Sequence, residues 1–181
     1  MAILTVGTKM PDFSFNTPYE SGLSIAKKAS AAPKTALMFL RYYGCTLCQY
    51  DIQQMAQHYD EIVAGGGQLY VVLQSDPDKL REKLGERGTL PFDIICDPEQ
   101  TLYKAFDIQP AEDLKAVITP ADMEKLGKVR ASGLSHGDYE GNEQQLPAAF
   151  VIDNECNIVY AHYAKTLTDI PSVEQLIELL K

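Results

Sequence analysis

Two periods of apolar residues divide this chain into its elements. From Ala36 to Tyr43 the residues are mostly apolar or aromatic, a run of strand length that Gly44 ends. Cys45-Thr46-Leu47-Cys48 follows at once. Beyond it Ile52, Met55, Ala56, Tyr59, Ile62 and Val63 recur at helical spacing until Gly65-Gly66-Gly67 stops the pattern. Leu69 to Leu73 is a continuous apolar run, the mark of a strand buried on both faces. Phe92 to Cys96 reads as another short strand. Asp76-Pro77 and Asp97-Pro98 each set a capping residue before a proline, and predict helices to about Arg87 and over Glu99–Phe106.

The flanks follow the same logic. Phe13-Ser14-Phe15 alternates and predicts a short edge strand, while Ser21 to Ala32, rich in small residues, reads as a turn and then a weak helix or loop. Asp107 to Gln145 breaks the rhythm with scattered Gly, Asp, Glu and Ser. Within it Thr119-Pro120 looks like a helix start for Pro120–Gly127, and Gly133 to Gln144 reads as an exposed loop. Ala148–Ile152 and Ile158–Tyr163 are two strands joined by a hairpin turn at 153–157. Ser172 and Gln175 form a capping box for a closing helix with Val173, Leu176, Ile177 and Leu180 as its apolar stripe. Successive strand–helix units imply right-handed crossovers and a largely parallel centre. The order β-α-β-α-β-α, insertion, β-β-α is that of a thioredoxin-like α/β fold, a central mixed sheet flanked by helices.

Composition narrows the picture little further. With 181 residues and 45% hydrophobic content the chain suits one compact domain over 1–181. A net charge of −9 and a pI near 4.8 argue against nucleic acid or an anionic membrane as main partners. No charged segment followed by an apolar one opens the chain, and the apolar runs are too short to span a bilayer. A cytoplasmic protein is expected, whose four cysteines stay reduced unless they serve redox or metal chemistry.

The chemistry concentrates on Cys45 and Cys48. A buried strand delivers both to the first turn of a long helix, where unpaired N–H groups and the positive end of the helix dipole stabilise a thiolate. A thiolate is the nucleophile of thiol chemistry. Metal binding is the lesser reading, because a structural zinc site wants four ligands and no second C-x-x-C is present. His58 would lie more than two turns past Cys48. Cys96, in an apolar strand, reads as a small buried hydrophobe. Cys156, in a hairpin turn, is expected to be an exposed thiol and a lesser candidate as an additional redox partner. His136 and His162 read as surface or loop residues, Tyr42 and Tyr43 as packing at a strand end. The acidic positions Glu112, Asp113, Asp122 and Glu124 read as a solvated face. Gly65-Gly66-Gly67 ends a helix rather than opening one, so it lacks the arrangement of a phosphate loop.

Several of these motifs together carry a resemblance. Gly7…Pro11-Asp12-Phe13, Phe39 to Cys48, Leu90-Pro91-Phe92…Cys96-Asp97-Pro98 and Phe150-Val151-Ile152-Asp153 lie in the order of the alkyl hydroperoxide reductase/thiol-specific antioxidant group of peroxiredoxins. Arg41 to Cys48, with Gln144-Gln145-Leu146 and Ala161-His162-Tyr163, resembles its C-x-x-C-bearing branch. The resemblance implies a peroxiredoxin-type N-terminal extension and an insertion before the last hairpin. It also implies no cofactor of its own, a thiol reductant such as a thioredoxin system, a peroxide or protein disulfide as substrate, and room for a homo-oligomer.

The chain departs from the usual P-x-x-x-T-x-x-C pattern. Aligned on Cys48, Arg41 stands in place of the proline and Cys45 in place of the threonine, and the later arginine expected near Leu146-Pro147 is absent. Leu146-Pro147-Ala148 instead occupies the place of the thioredoxin-type proline, for which a cis bond is expected. Thr46, Arg41 and Pro147 are the candidate supporting residues.

Two mechanisms follow. As a peroxidase, Cys48 attacks peroxide and Cys45 condenses with the sulfenic acid; this is the favoured order. As a disulfide reductase, Cys45 attacks and Cys48 resolves. A reading of another class is a redox-inactive binding module that uses 107–145 as its contact surface.

Overall fold

The computed structural model describes residues 2–181. A small N-terminal pair, β1 (Ser14–Phe15) and β2 (Leu23–Ser24), is followed by α1 (Ile25–Ala29) and β3 (Lys34–Phe39). Next come α2 (Thr46–Gln57), α3 (Tyr59–Ile62), β4 (Gln68–Leu73), α4 (Pro77–Leu84), β5 (Asp93–Cys96) and α5 (Thr101–Ala105). The insertion holds a 3-10 turn (Leu114–Val117) and α6 (Pro120–Ala131). The chain closes with β6 (Ala148–Asp153), β7 (Ile158–Tyr163) and α7 (Val173–Leu179).

One sheet runs in the order β5-β4-β3-β6-β7. β3 pairs in parallel with β4, and β4 with β5, through crossovers made by α2 and α4. On the other side β6 and β7 return antiparallel. The sheet is therefore the mixed, helix-flanked one that the order of elements predicts. Its central strand explains the continuous apolar run. Ala36, Met38 and Leu40 face the layer of Ile52, Met55 and Leu80, while Leu37 and Phe39 face Phe15, Ile25 and Tyr103. From Ala36 onward, burial on both faces selects apolar side chains at every position of the strand.

Most predicted starts and stops coincide with observed caps. Asp76 accepts the Asp78 and Lys79 amides, and both the Ser172/Gln175 and Thr119/Asp122 pairs form capping boxes. The cysteine helix is interrupted at His58, whose ψ of 17° departs from the helical range. α5 opens two residues later than expected, because Gln100 takes a left-handed conformation (φ 57°); the Asp97 carboxylate still accepts the Thr101 and Leu102 amides at 2.9 and 2.8 Å.

Three expectations need correction. Cys156 is buried, at 5% exposure, because the N-terminal segment crosses the hairpin and the Met10 amide donates to its carbonyl at 2.9 Å. Asp122 is fully buried rather than solvated: its carboxylate accepts from the Thr119, Thr166 and Thr168 hydroxyls and the Thr119 and Thr168 amides. The Leu146–Pro147 bond is trans. The chain enters β6 extended there, with the Pro147 carbonyl already accepting the Ala164 amide at 3.1 Å, and trans is the lower-energy form of such a bond.

Candidate active site

Beyond β3 the chain leaves the sheet at Arg41, whose carbonyl accepts the Gln74 amide at 2.7 Å, and turns sharply so that the Cys45 amide reaches the Tyr42 carbonyl at 3.2 Å. Cys45 then serves as the N-cap of α2. Its extended backbone (φ −67°, ψ 122°) points the sulfur back over the first turn, where the Cys48 amide donates to Sγ at 3.3 Å. A sulfur in the place of a capping oxygen puts developing negative charge at the positive helix end.

Arg41 completes the arrangement. Its side chain turns inward, and Nη2 donates to Cys45 Sγ at 3.1 Å while Nη1 donates to the Glu143 carbonyl at 2.8 Å. Its backbone amide donates to Cys48 Sγ at 3.4 Å. The two sulfurs share this environment unequally. The hydrogen bond from the Cys48 thiol, helped against burial by the Arg41 charge, lowers Cys45 to about 6. Burial and that same donated hydrogen bond push Cys48 well above the ordinary thiol range. Burial opposes charge on Arg41, and the neighbouring sulfurs overcome it, so that its guanidinium is held more firmly cationic than usual. This environment favours the negative charge on Cys45 and the proton on Cys48.

Neither sulfur lies open: Cys45 is 1% and Cys48 4% exposed. A recess of about 10 Å³, lined by Arg41, Leu47, Cys48, Asp51, Pro147 and Leu167, reaches Cys48 and has room for one water-sized molecule. Pro147 belongs to this recess. Thr46 opens α2 half-buried, and its hydroxyl is not among the groups bonded to either sulfur among the described residues. Cys96, Cys156 and His162 lie in other parts of the fold; Cys96 is held up to about 12 by burial, with Asp76 and Glu140 adding to it. Among the described residues no group of three or more His, Cys, Asp or Glu is arranged to hold a metal ion.

Sequence reasoning missed the other side of the site. The loop after α6 folds over the motif: the Gly137 amide donates to the Gly44 carbonyl at 2.8 Å, and the Tyr42 hydroxyl stands 3.0 Å from His136 Nε2. Gly44 lies beyond the end of β3, and it has to be glycine for this approach, since a Cβ there would lie 2.2 Å from the Asp138 carbonyl oxygen. Asp51, one turn past Cys48, was hidden inside an otherwise helical pattern. Its position three residues from a cysteine was the only signal available.

This geometry sits in a recognisable frame. A family model described as AhpC/TSA matches residues 6–161. The chain belongs to the AhpC/TSA family. No curated protein matches it by sequence. Among solved structures, a cysteine-to-serine mutant of peroxiredoxin 6 from Arenicola marina superposes with a TM-score of 0.71 at 12% identity, covering 98% of this chain and 72% of that one. The yeast mitochondrial 1-Cys peroxiredoxin gives 0.67 at 12%, covering 98% and 75%. A putative thiol:disulfide interchange protein DsbE from Chlorobium tepidum gives 0.60 at 17%, covering 98% and 99%. At such identities the likeness concerns the fold. Together with membership of the AhpC/TSA family it supports a thiol-based redox enzyme.

Proposed function

We propose that the chain is a thiol-dependent peroxide reductase working through a Cys45/Cys48 dithiol–disulfide couple, with Cys45 supplying the attacking thiolate. The observation that carries this reading is the 3.1 Å contact of the Arg41 guanidinium with Cys45 Sγ, made at a helix start. This reading takes the opposite order to the one favoured from sequence, in which Cys48 attacks. The steps balance without a cofactor. The Cys45 thiolate displaces the far oxygen of a hydroperoxide; the O–O bond breaks, the leaving oxygen takes a proton and departs as alcohol or water, and Cys45 becomes a sulfenic acid. The Cys48 thiol then attacks that sulfur, forming the Cys45–Cys48 disulfide and releasing water. An external dithiol, a thioredoxin-type protein by analogy with the family, returns the couple to its reduced state by exchange. Arg41 holds the charge on Cys45 and can receive the developing charge on the departing oxygen.

A second reading draws on the same sulfur. A low-pKa cysteine at the first position of a C-x-x-C is also the nucleophile that protein-disulfide reduction needs.

The test follows hydrogen peroxide consumption, with dithiothreitol as reductant, in wild type, Cys45→Ser and Cys48→Ser. Loss of the first turnover in Cys45→Ser alone supports the proposed order. Loss in Cys48→Ser alone restores the reverse order. Slow reaction of wild type with peroxide beside rapid reduction of insulin disulfides overturns the peroxidase reading for the reductase one.

A further inference from the structure

The segment 135–143 is exposed itself yet closes the active site. It reaches the site from several directions. The Gln49 side-chain amide donates to the Ser135 carbonyl at 3.2 Å, His136 meets Tyr42, and Gly137 is bonded to Gly44. Farther along, the Glu140 carboxylate accepts the Ser75 hydroxyl at 2.9 Å and the Asp76 amide at 3.1 Å. The Asn142 amide donates to Gln74 Oε1 at 2.7 Å, and the Glu143 carbonyl takes the Arg41 guanidinium. These residues follow the C-terminal ends of β3 and β4, the edge of the sheet on which the cysteines sit.

Two properties mark this cover as movable. It is held by hydrogen bonds and ion pairs, with little buried apolar surface: its large apolar side chain, Tyr139, is 72% exposed and stacks on His136 at 4.2 Å. Segments so held lie at the low end of local stability. Along the seam the protein offers no hydrogen-bond partner to Arg41 Nε or Gln74 Nε2, so these two groups add nothing to the hold of the cover.

We infer that residues 135–143 form a lid that selects the reactants of the couple by size. Closed, it keeps protein disulfides from Cys45, so that only small reactants reach the pair. It lifts when a folded dithiol partner has to meet the oxidised pair. The identity of the oxidant rests on the function proposed above; the lid does not.

The test compares wild type with Glu140→Gln, which weakens the contact to Ser75 and Asp76, and Gly141→Ala. A Cβ at position 141 would lie 2.2 Å from Gln74 Oε1, on a backbone with φ of 64°. Cys45 is alkylated with iodoacetamide and with a polyethylene-glycol maleimide, each rate normalised to that of a free cysteine peptide. Wild type should disfavour the bulky reagent strongly. Each variant should raise the bulky rate about tenfold, as loss of one charged contact or one steric misfit in a closed state allows, and the iodoacetamide rate less. Equal normalised rates in wild type overturn the lid, whatever the variants do. Equal gains for both reagents in folded variants overturn size selection. Alkylation needs no peroxide, so a wild type inert to peroxide but selective by size removes the peroxidase reading and leaves the lid standing.

Discussion

Lys125 Nζ stands 2.6 Å from the carboxylate of Asp51, and this ion pair fastens α6 of the insertion to the helix that carries the cysteines. Burial raises the Asp51 carboxyl, and Lys125 opposes the rise. Lys125→Met leaves a buried carboxylate without its cation and should cost on the order of 2 kcal/mol, read as a lower urea midpoint. A carboxyl raised by folding contributes most below its unfolded range, and that contribution is lost as pH rises through its folded value. The loss should therefore deepen in Lys125→Met as pH rises past the carboxylate range. Replacing both residues, as in Asp51→Leu with Lys125→Met, should recover much of it.

With Cys45 lowered to about 6 by the Cys48 hydrogen bond and the Arg41 charge, its alkylation rate should rise through that pH, well before a free thiol reacts. Arg41→Met should move the midpoint upward and leave the fold intact. Because folding depresses this group, its contribution to stability is complete above the free-thiol range and disappears as pH falls through about 6. Rates measured with iodoacetamide between pH 4 and 10 check both statements; a midpoint unmoved by Arg41→Met assigns the low value to the hydrogen bonds from Cys48 at the helix start.

Asp122 gathers five hydrogen bonds at full burial and has no cation among the partners that hold it. Against burial, those donors hold its carboxyl below the usual range, the Thr119 hydroxyl foremost. Asp122→Ala leaves the Thr119 cap and the 166–168 turn unanswered, a loss of roughly 2–3 kcal/mol. The sign for pH is the usual one for a depressed acid: full stabilisation above the unfolded carboxyl range, lost below it. Acid unfolding of wild type should show a dependence that Asp122→Asn flattens.

If Cys48 resolves, Cys48→Ser should accumulate a Cys45 adduct. Peroxide would carry Cys45 past the sulfenic acid, and a small disulfide would leave a stable mixed disulfide. Mass spectrometry of the intact chain reads both. Release of the adduct at the wild-type rate shows that another thiol does the resolving.

The fold was legible because its signals are local. The two-faced apolar run of β3 and β4, the aspartate–proline starts and the capping boxes each act within a few residues. So does the helix start that places Cys45 and Cys48. What escaped depends on chain segments that meet only after folding. Cys156 looked exposed because a hairpin turn is exposed until the N-terminal segment crosses it. Asp122 looked solvated because three of its five donors come from the Thr166 and Thr168 region. The cover over the cysteines was visible only as a polar loop, since nothing in its composition says where it folds back.

The burial of Cys96 and Cys156 gives the chain a reporter of its own integrity. Both thiols are held above their ordinary range by desolvation and packed inside the fold, so they stay silent to mild thiol reagents while the chain is intact. Their labelling then times each excursion to an opened state, while the Cys45–Cys48 pair answers for redox state. Stability and oxidation can be followed in one sample by which cysteines have reacted.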